Sequence, residues 1–274
     1  METLNDFSRL SLNQMTTNSW NVREAVEGCV RAGIPSISLW REKVQEYGGL
    51  AASKRVVADA KLKVLSLCRG GQFPAASKQE REARIDDNRR AIEEASELGA
   101  DMLILVSGPA PGRDIAAGRL MVEEAIERLL PDAQAAGIKL GIEPLHPMFA
   151  ADRSVIVTLD EANRLIEHFQ SDALGIIVDV YHVWWDPQVL PQIKRAAGHI
   201  LSYHISDWPV PLPDILQGRD MMGNGVIDLR LLRSAVEATG YNGEIEVEIF
   251  NRAIWDTPGD EVLALIKQRY LACV

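Results

Sequence analysis

Strand-like and helix-like segments alternate eight times along this chain, with no stretch between them that reads as a linker. That rhythm constrains the fold more than any single motif, because β–α alternation lays successive strands parallel and puts the helices on the outside. The first strand is expected from Leu10 to Met15. A helix capped by Ser19 follows, with Val22, Ala25, Val26, Cys29 and Val30 on one face and Gly33 as its stop. Strands two to four are expected over residues 34–39, 62–68 and 102–106. Between them lie a helix through Val56, Val57 and Ala60 and a long one over 80–98. In the second half, strands over 139–143, 174–179, 199–205 and 244–249 alternate with helices over 117–136, 159–169, 188–197, 228–239 and 260–270. Thr158 is the expected cap of the helix from 159. The later strands are nearly continuous apolar runs, as parallel strands buried on both faces require. The expected architecture is a (β/α)8 TIM barrel, a single domain over residues 1–274. An open doubly wound sheet is the alternative. It would carry a Gly-rich phosphate turn after strand one, where this chain has Asn13-Gln14-Met15-Thr16. Tight turns are expected at Gly70-Gly71 and across Gly108-Pro109-Ala110-Pro111-Gly112.

Four of the strand ends carry a group able to bind a divalent metal. Glu143, Asp179, His204 and Glu248 are separated by 36, 25 and 44 residues, about one or more strand–helix units each. A parallel barrel gathers its strand C-termini on one rim, so residues this distant in sequence can converge there. Together they form a hard, mostly oxygen ligand set for one cation. Glu246 competes with Glu248, since strand alternation puts both on one face and spacing alone does not separate them.

Charge narrows the function classes. The chain has 29 basic and 39 acidic side chains, a formal net charge of −10. That balance repels phosphate backbones, so no nucleic-acid partner is expected. No apolar stretch approaches the ~20 residues of a membrane helix, so no membrane association is expected. Met1 to Leu10 lacks the apolar core of a signal peptide. Cys29, Cys68 and Cys273 are too scattered for a disulfide framework. The expected location is the cytoplasm.

The motifs in order resemble the xylose isomerase-like superfamily of sugar isomerases and epimerases, in particular its tagatose 3-epimerase and inosose isomerase branch. They are Glu143-Pro144-Leu145, Asp179 to His182, His204 to Asp207, Arg219, Gly223-Asn224-Gly225, Ile227-Asp228 and Gly240-Tyr241-Asn242-Gly243 leading to Glu248. The resemblance favours Glu248 over Glu246. It implies that Glu143, Asp179, His204 and Glu248 hold one divalent ion (Mn²⁺, Mg²⁺, Co²⁺ or Zn²⁺). It further implies that Glu143 and Glu248 act as acid and base on a carbohydrate substrate. His182, Arg219, His146 and Trp40 are the expected substrate contacts, with Trp184, Trp185 and Trp208 as candidate stacking residues and Asp207 orienting His204 or the next loop. Three carboxylates on one dication leave an excess negative charge that suits a neutral sugar or polyol, with Arg219 able to offset it. Where ketohexose epimerases carry a second Glu, six residues after the metal Glu, this chain has Phe149. Free tagatose or psicose is therefore an unpromising substrate, and a cyclic polyol ketone or keto sugar remains open. The expected activity is isomerisation or epimerisation by proton transfer beside a carbonyl. A dehydratase or other lyase sharing that first step is the alternative. A nuclease of the same fold would need more metal-binding His than the five present and a basic surface. A homo-oligomer is possible.

Overall fold

Eight parallel strands close into one barrel in sequence order: β1 (Leu10–Asn13), β2 (Ser36–Trp40), β3 (Lys63–Gly71), β4 (Met102–Val106), β5 (Lys139–Ile142), β6 (Leu174–Asp179), β7 (Ile200–Ile205) and β8 (Ile245–Val247). β8 pairs with β1, so no edge is left unpaired. The computed structural model describes residues 4–112 and 114–274, so the first three positions of the stretch from Met1 to Leu10 lie outside it. All five residues of β4 and all six of β6 are buried, which explains their unbroken apolar sequences.

Helices pack outside each crossover. The helix Val22–Ala32 starts with a capping box, but its cap is Asn21 rather than Ser19. Asn21 stands three residues before Glu24, the spacing at which cap and Glu can exchange hydrogen bonds. Thr158 caps Leu159–Phe169 with Glu161 in the same way. Inside the barrel, Leu65, Cys68, Met102, Ile104 and Ile177 form a separate apolar plug below the strand ends. Gly141 and Gly175 make room for it, because a Cβ on either would collide with Ile177 or Leu201.

Two local readings change. The first strand stops at Asn13, and Gln14–Thr17 turns as a 3-10 helix. Gly70-Gly71 is no tight turn but the end of β3, where the pairing with β4 shifts register between Cys68 and Gly70. Gly71 adopts φ +100° and packs against the Val106 carbonyl, an approach only glycine permits.

Candidate metal centre

Glu143 follows β5, Asp179 ends β6, His204 lies in β7 and Glu248 follows β8. Register accounts for their meeting: Asp179 stands opposite His204, and His204 opposite Glu246. One ligand atom from each of Glu143, Asp179, His204 and Glu248 lies within 4.8 Å of the others, and all four residues are buried. Nδ1 of His204 faces the group, 3.9 Å from Oε1 of Glu143 and 3.6 Å from Oε2 of Glu248. Neither that nitrogen nor Glu143 Oε1 has a hydrogen-bond partner. Buried polar atoms ordinarily find one, so these converging orphans fit a cation. Three carboxylates and one imidazole could hold a single divalent ion of the hard-to-borderline kind.

Glu246 lies one layer deeper, beside the far edge of the imidazole. Its Oε2 is 3.4 Å from Nε2 of His204, close enough for an ion pair although not aligned as a hydrogen bond. Ser38 Oγ donates to Glu246 Oε2 (2.6 Å), and Ser66 Oγ donates to Ser38 Oγ (2.8 Å). Asn13 Nδ2 donates to Glu246 Oε1 (2.7 Å) and to Glu248 Oε1 (2.9 Å), while its own Oδ1 accepts from Trp40 Nε1 (2.9 Å). Asn13 is missing from the expected site residues, since an Asn closing a short strand reads as a turn former. The structure makes it the clamp between the two glutamates.

The buried charges pull proton affinities apart. Burial drives the Glu143 carboxyl well above the usual carboxylate range, and the charges of Glu248 and Asp179 add to the effect. Burial would raise Glu248 as well, but the Arg219 guanidinium and His204 outweigh it and hold Glu248 at about 2. For His204, burial opposes the charged ring, yet Glu246, then Glu248 and Glu143, outweigh it and raise the ring to about 10. Arg219 Nη1 donates to Asp179 Oδ2 (2.7 Å) and to Glu248 Oε2 (3.0 Å). Its guanidinium stacks over Tyr181 at 4.7 Å and Phe250 at 5.4 Å from the ring centroids. His182 is 3.0 Å from Arg219 through Nε2, and its Nδ1 accepts from the His146 backbone N–H (3.1 Å). Burial lowers the His182 ring to about 3, with Asp179 opposing and Arg219 adding to the effect, so the ring is held neutral.

A cavity of about 200 Å³ reaches these residues; Trp40, Glu143, Phe149, His182, Arg219 and Glu248 are in its lining, with Val106, Leu145 and Phe250 as apolar wall. Arg69 and Arg153 also line it, and neither is among the expected contacts. Arg69 lies within β3, one residue past the strand end expected from the sequence, and Arg153 lies in the loop after β5. His146 is not in the lining. Its Nδ1 instead accepts from Met148 N–H, and its ring packs on Trp185 and Trp208. Trp184, Trp185 and Trp208 are likewise outside the lining; Trp208 backs Tyr181 at 4.8 Å. Asp207 orders the loop after β7 rather than His204: its carboxylate accepts from the N–H groups of Trp208, Gly223 and Ile227.

Comparison with known proteins places this geometry. Two curated relatives are named for different activities: a 3-dehydroshikimate dehydratase of Pseudomonas aeruginosa is 24% identical over 241 residues, and an inosose isomerase of Bacillus subtilis is 25% identical over 151. The dehydratase alignment covers 85% of this chain but 37% of the relative, so the chain spans little more than a third of that protein. The isomerase alignment covers 53% of this chain and 52% of the relative. Among solved structures, protein SMc04130 of Sinorhizobium meliloti is 48% identical and superposes with a TM-score of 0.95, over 98% of this chain and 99% of that one. The family described as the xylose isomerase-like TIM barrel matches residues 26–269. With nearly the whole barrel matched, the chain belongs to the xylose isomerase-like TIM barrel family.

Proposed function

We propose that this protein is a divalent-metal-dependent isomerase or epimerase that moves a proton beside a carbonyl of a small carbohydrate or cyclic polyol ketone. The observation that carries the proposal is the pair Glu143 and Glu248. They are buried carboxyls 3.9 and 3.6 Å from His204 Nδ1, and their surroundings push their proton affinities in opposite directions. Such a split is what distinct acid and base roles require. Glu143, Asp179, His204 and Glu248 would hold the ion, which when bound supplies Lewis-acid polarisation of the carbonyl oxygen. Glu248, whose charge Arg219 favours, takes the proton; Glu143, whose proton affinity its buried surroundings raise, returns one to the substrate carbon. Arg219 holds Glu248 in place and offers a positive edge to the substrate, and neutral His182, engaged by Arg219 and the His146 N–H, forms part of the cavity wall. Trp40 and Phe149 make apolar cavity walls. At about 200 Å³ the space lies below the ~300–1,000 Å³ of larger ligand sites and suits a monosaccharide- or cyclitol-sized molecule.

A second reading has its own support. The relative whose name specifies a dehydratase aligns over 85% of the chain, against 53% for the inosose isomerase. In that reading the same proton is removed by Glu248, and Glu143 protonates a departing hydroxyl instead of a carbon. One experiment separates the two. The Mn²⁺-loaded protein is incubated in D₂O with inososes, keto sugars and 3-dehydroshikimate, and products are followed by NMR. Isomerisation gives a product of unchanged mass apart from deuterium at the exchanged carbon, with psicose and tagatose turned over poorly. Loss of water from the product assigns the dehydratase, and an isomerised product without deuterium sinks the paired-carboxyl mechanism.

A further inference from the structure

Arginines on this acidic chain are mostly engaged by carboxylates. Arg41 pairs with Asp87 and Glu94, Arg195 with Asp160 and Glu167, and Arg128 with Glu82. The two in the cavity mouth are different. Arg153 has no carboxylate within 4.0 Å among the described residues; its guanidinium lies over the ring of Phe149, 5.7 Å from the centroid. Arg69 lies in the same manner over Trp40 at 5.9 Å, and its one carboxylate neighbour among the described residues is the exposed Glu42 at 4.0 Å. Both aromatic rings belong to the cavity lining. Stacking on a ring orients a guanidinium and leaves its fork of N–H donors available, the geometry that recognises a planar anion.

Charge balance points the same way. The lining arginines Arg69, Arg153 and Arg219 equal in number the carboxylates Glu143, Asp179 and Glu248. A divalent ion held by those carboxylates therefore leaves the cavity with excess positive charge, in contrast to the neutral or negative balance that the ligand set alone suggests. Glu246, at depth beside His204, Ser38 and Asn13, lowers this excess without cancelling it.

We infer that the substrate is anionic: a small polyol ketone bearing a carboxylate, with its carbonyl end at the four-ligand group and its carboxylate at Arg69 and Arg153. The inference rests on the ketone reading above. A guanidinium fork accepts two oxygens of either anion; a carboxylate is preferred to a phosphate because the cavity, at about 200 Å³, is small. Arg69 and Arg153 are specificity residues here, distinct from the proton-transfer pair.

Binding, rather than turnover, tests this. The Mn²⁺-loaded protein is titrated calorimetrically with 3-dehydroshikimate, with the neutral 2-keto-myo-inositol and with tagatose 6-phosphate. Wild type should bind the carboxylate at least tenfold more tightly than the neutral ketone, and added salt should weaken only the acid. Arg69→Gln and Arg153→Gln should each weaken the acid about tenfold, the scale of a lost charge-assisted hydrogen bond, and change the neutral ketone less than twofold. Circular dichroism and metal content confirm that each variant is folded and loaded. Equal or tighter binding of the neutral ketone, or equal losses for both ligands, overturns the inference. Tightest binding of the phosphate overturns the choice of carboxylate. Deuterium exchange confined to neutral ketones upholds the reaction while removing its anionic substrate, so the two proposals fail separately.

Discussion

At the scale of single residues, two consequences follow from buried charge. Glu143→Gln and Glu248→Gln keep side-chain shape and one ligand oxygen but remove the titrating carboxyl. Each should lower turnover by roughly 10²-fold or more, the usual loss for a general acid or base. Full turnover by either variant would remove that residue from the proton path. The second consequence concerns His182. Its ring is held neutral down to about 3, whereas the same ring in the unfolded chain takes a proton near 6.5. Between those values the unfolded state binds more protons, so stability is whole above pH 6.5 and declines as pH falls toward 3. The slope from this one group approaches about 1.4 kcal/mol per pH unit. His182→Gln should therefore lose less stability than wild type between pH 6.5 and 4.5 in urea titrations. Parallel losses would show that the ring does not titrate as its burial dictates.

At the scale of elements, the end of β3 leaves little room for variation. Gly71 and Gly99 both have positive φ, +100° and +73°, but a Cβ on Gly99 meets nothing within 4 Å while one on Gly71 runs into the Val106 carbonyl. Gly99→Ala should cost about 1 kcal/mol, the backbone penalty alone. Gly71→Ala should cost clearly more, about 2–3 kcal/mol, because β4 must also give way. Denaturant midpoints at constant m-value measure the difference. Equal costs would mean that the β3–β4 contact relaxes freely. The cap of the first helix teaches a related lesson. Ser19 and Asn21 are both good caps by type, and only the reciprocal bond with Glu24 selects Asn21.

For the molecule as a whole, the four candidate ligands tie together the ends of β5 through β8. An ion that binds only this folded arrangement stabilises it by about 2.7 kcal/mol at a hundredfold excess over its Kd. Stripping with EDTA should lower Tm, and Mn²⁺ should restore it. The Asp179→Ala, His204→Ala double variant should contain no metal by elemental analysis and should show no Tm response. A full metal content in that variant would place the ion elsewhere.

How much of this was legible beforehand depends on what each feature needs. Strand–helix alternation and the apolar runs of β4 and β6 are local, and a parallel barrel is the arrangement that buries both faces of such runs, so the fold could be read from the chain alone. Glu143, Asp179, His204 and Glu248 were legible because each closes a strand, and barrel closure sends every strand end to one rim. Spacing could not choose between Glu246 and Glu248, since both point inward. Only depth decides, placing Glu246 against the far nitrogen of His204 and Glu248 against the near one. Asn13 and Arg69 gain their neighbours Glu246 and Trp40 from strands remote in sequence, and His146 turns its Nδ1 to the local Met148 N–H. Sequence patterns record which groups a strand end presents. Which of them share a cavity, and with what net charge, is set by side-chain reach across the closed barrel, a distance that has no counterpart along the chain.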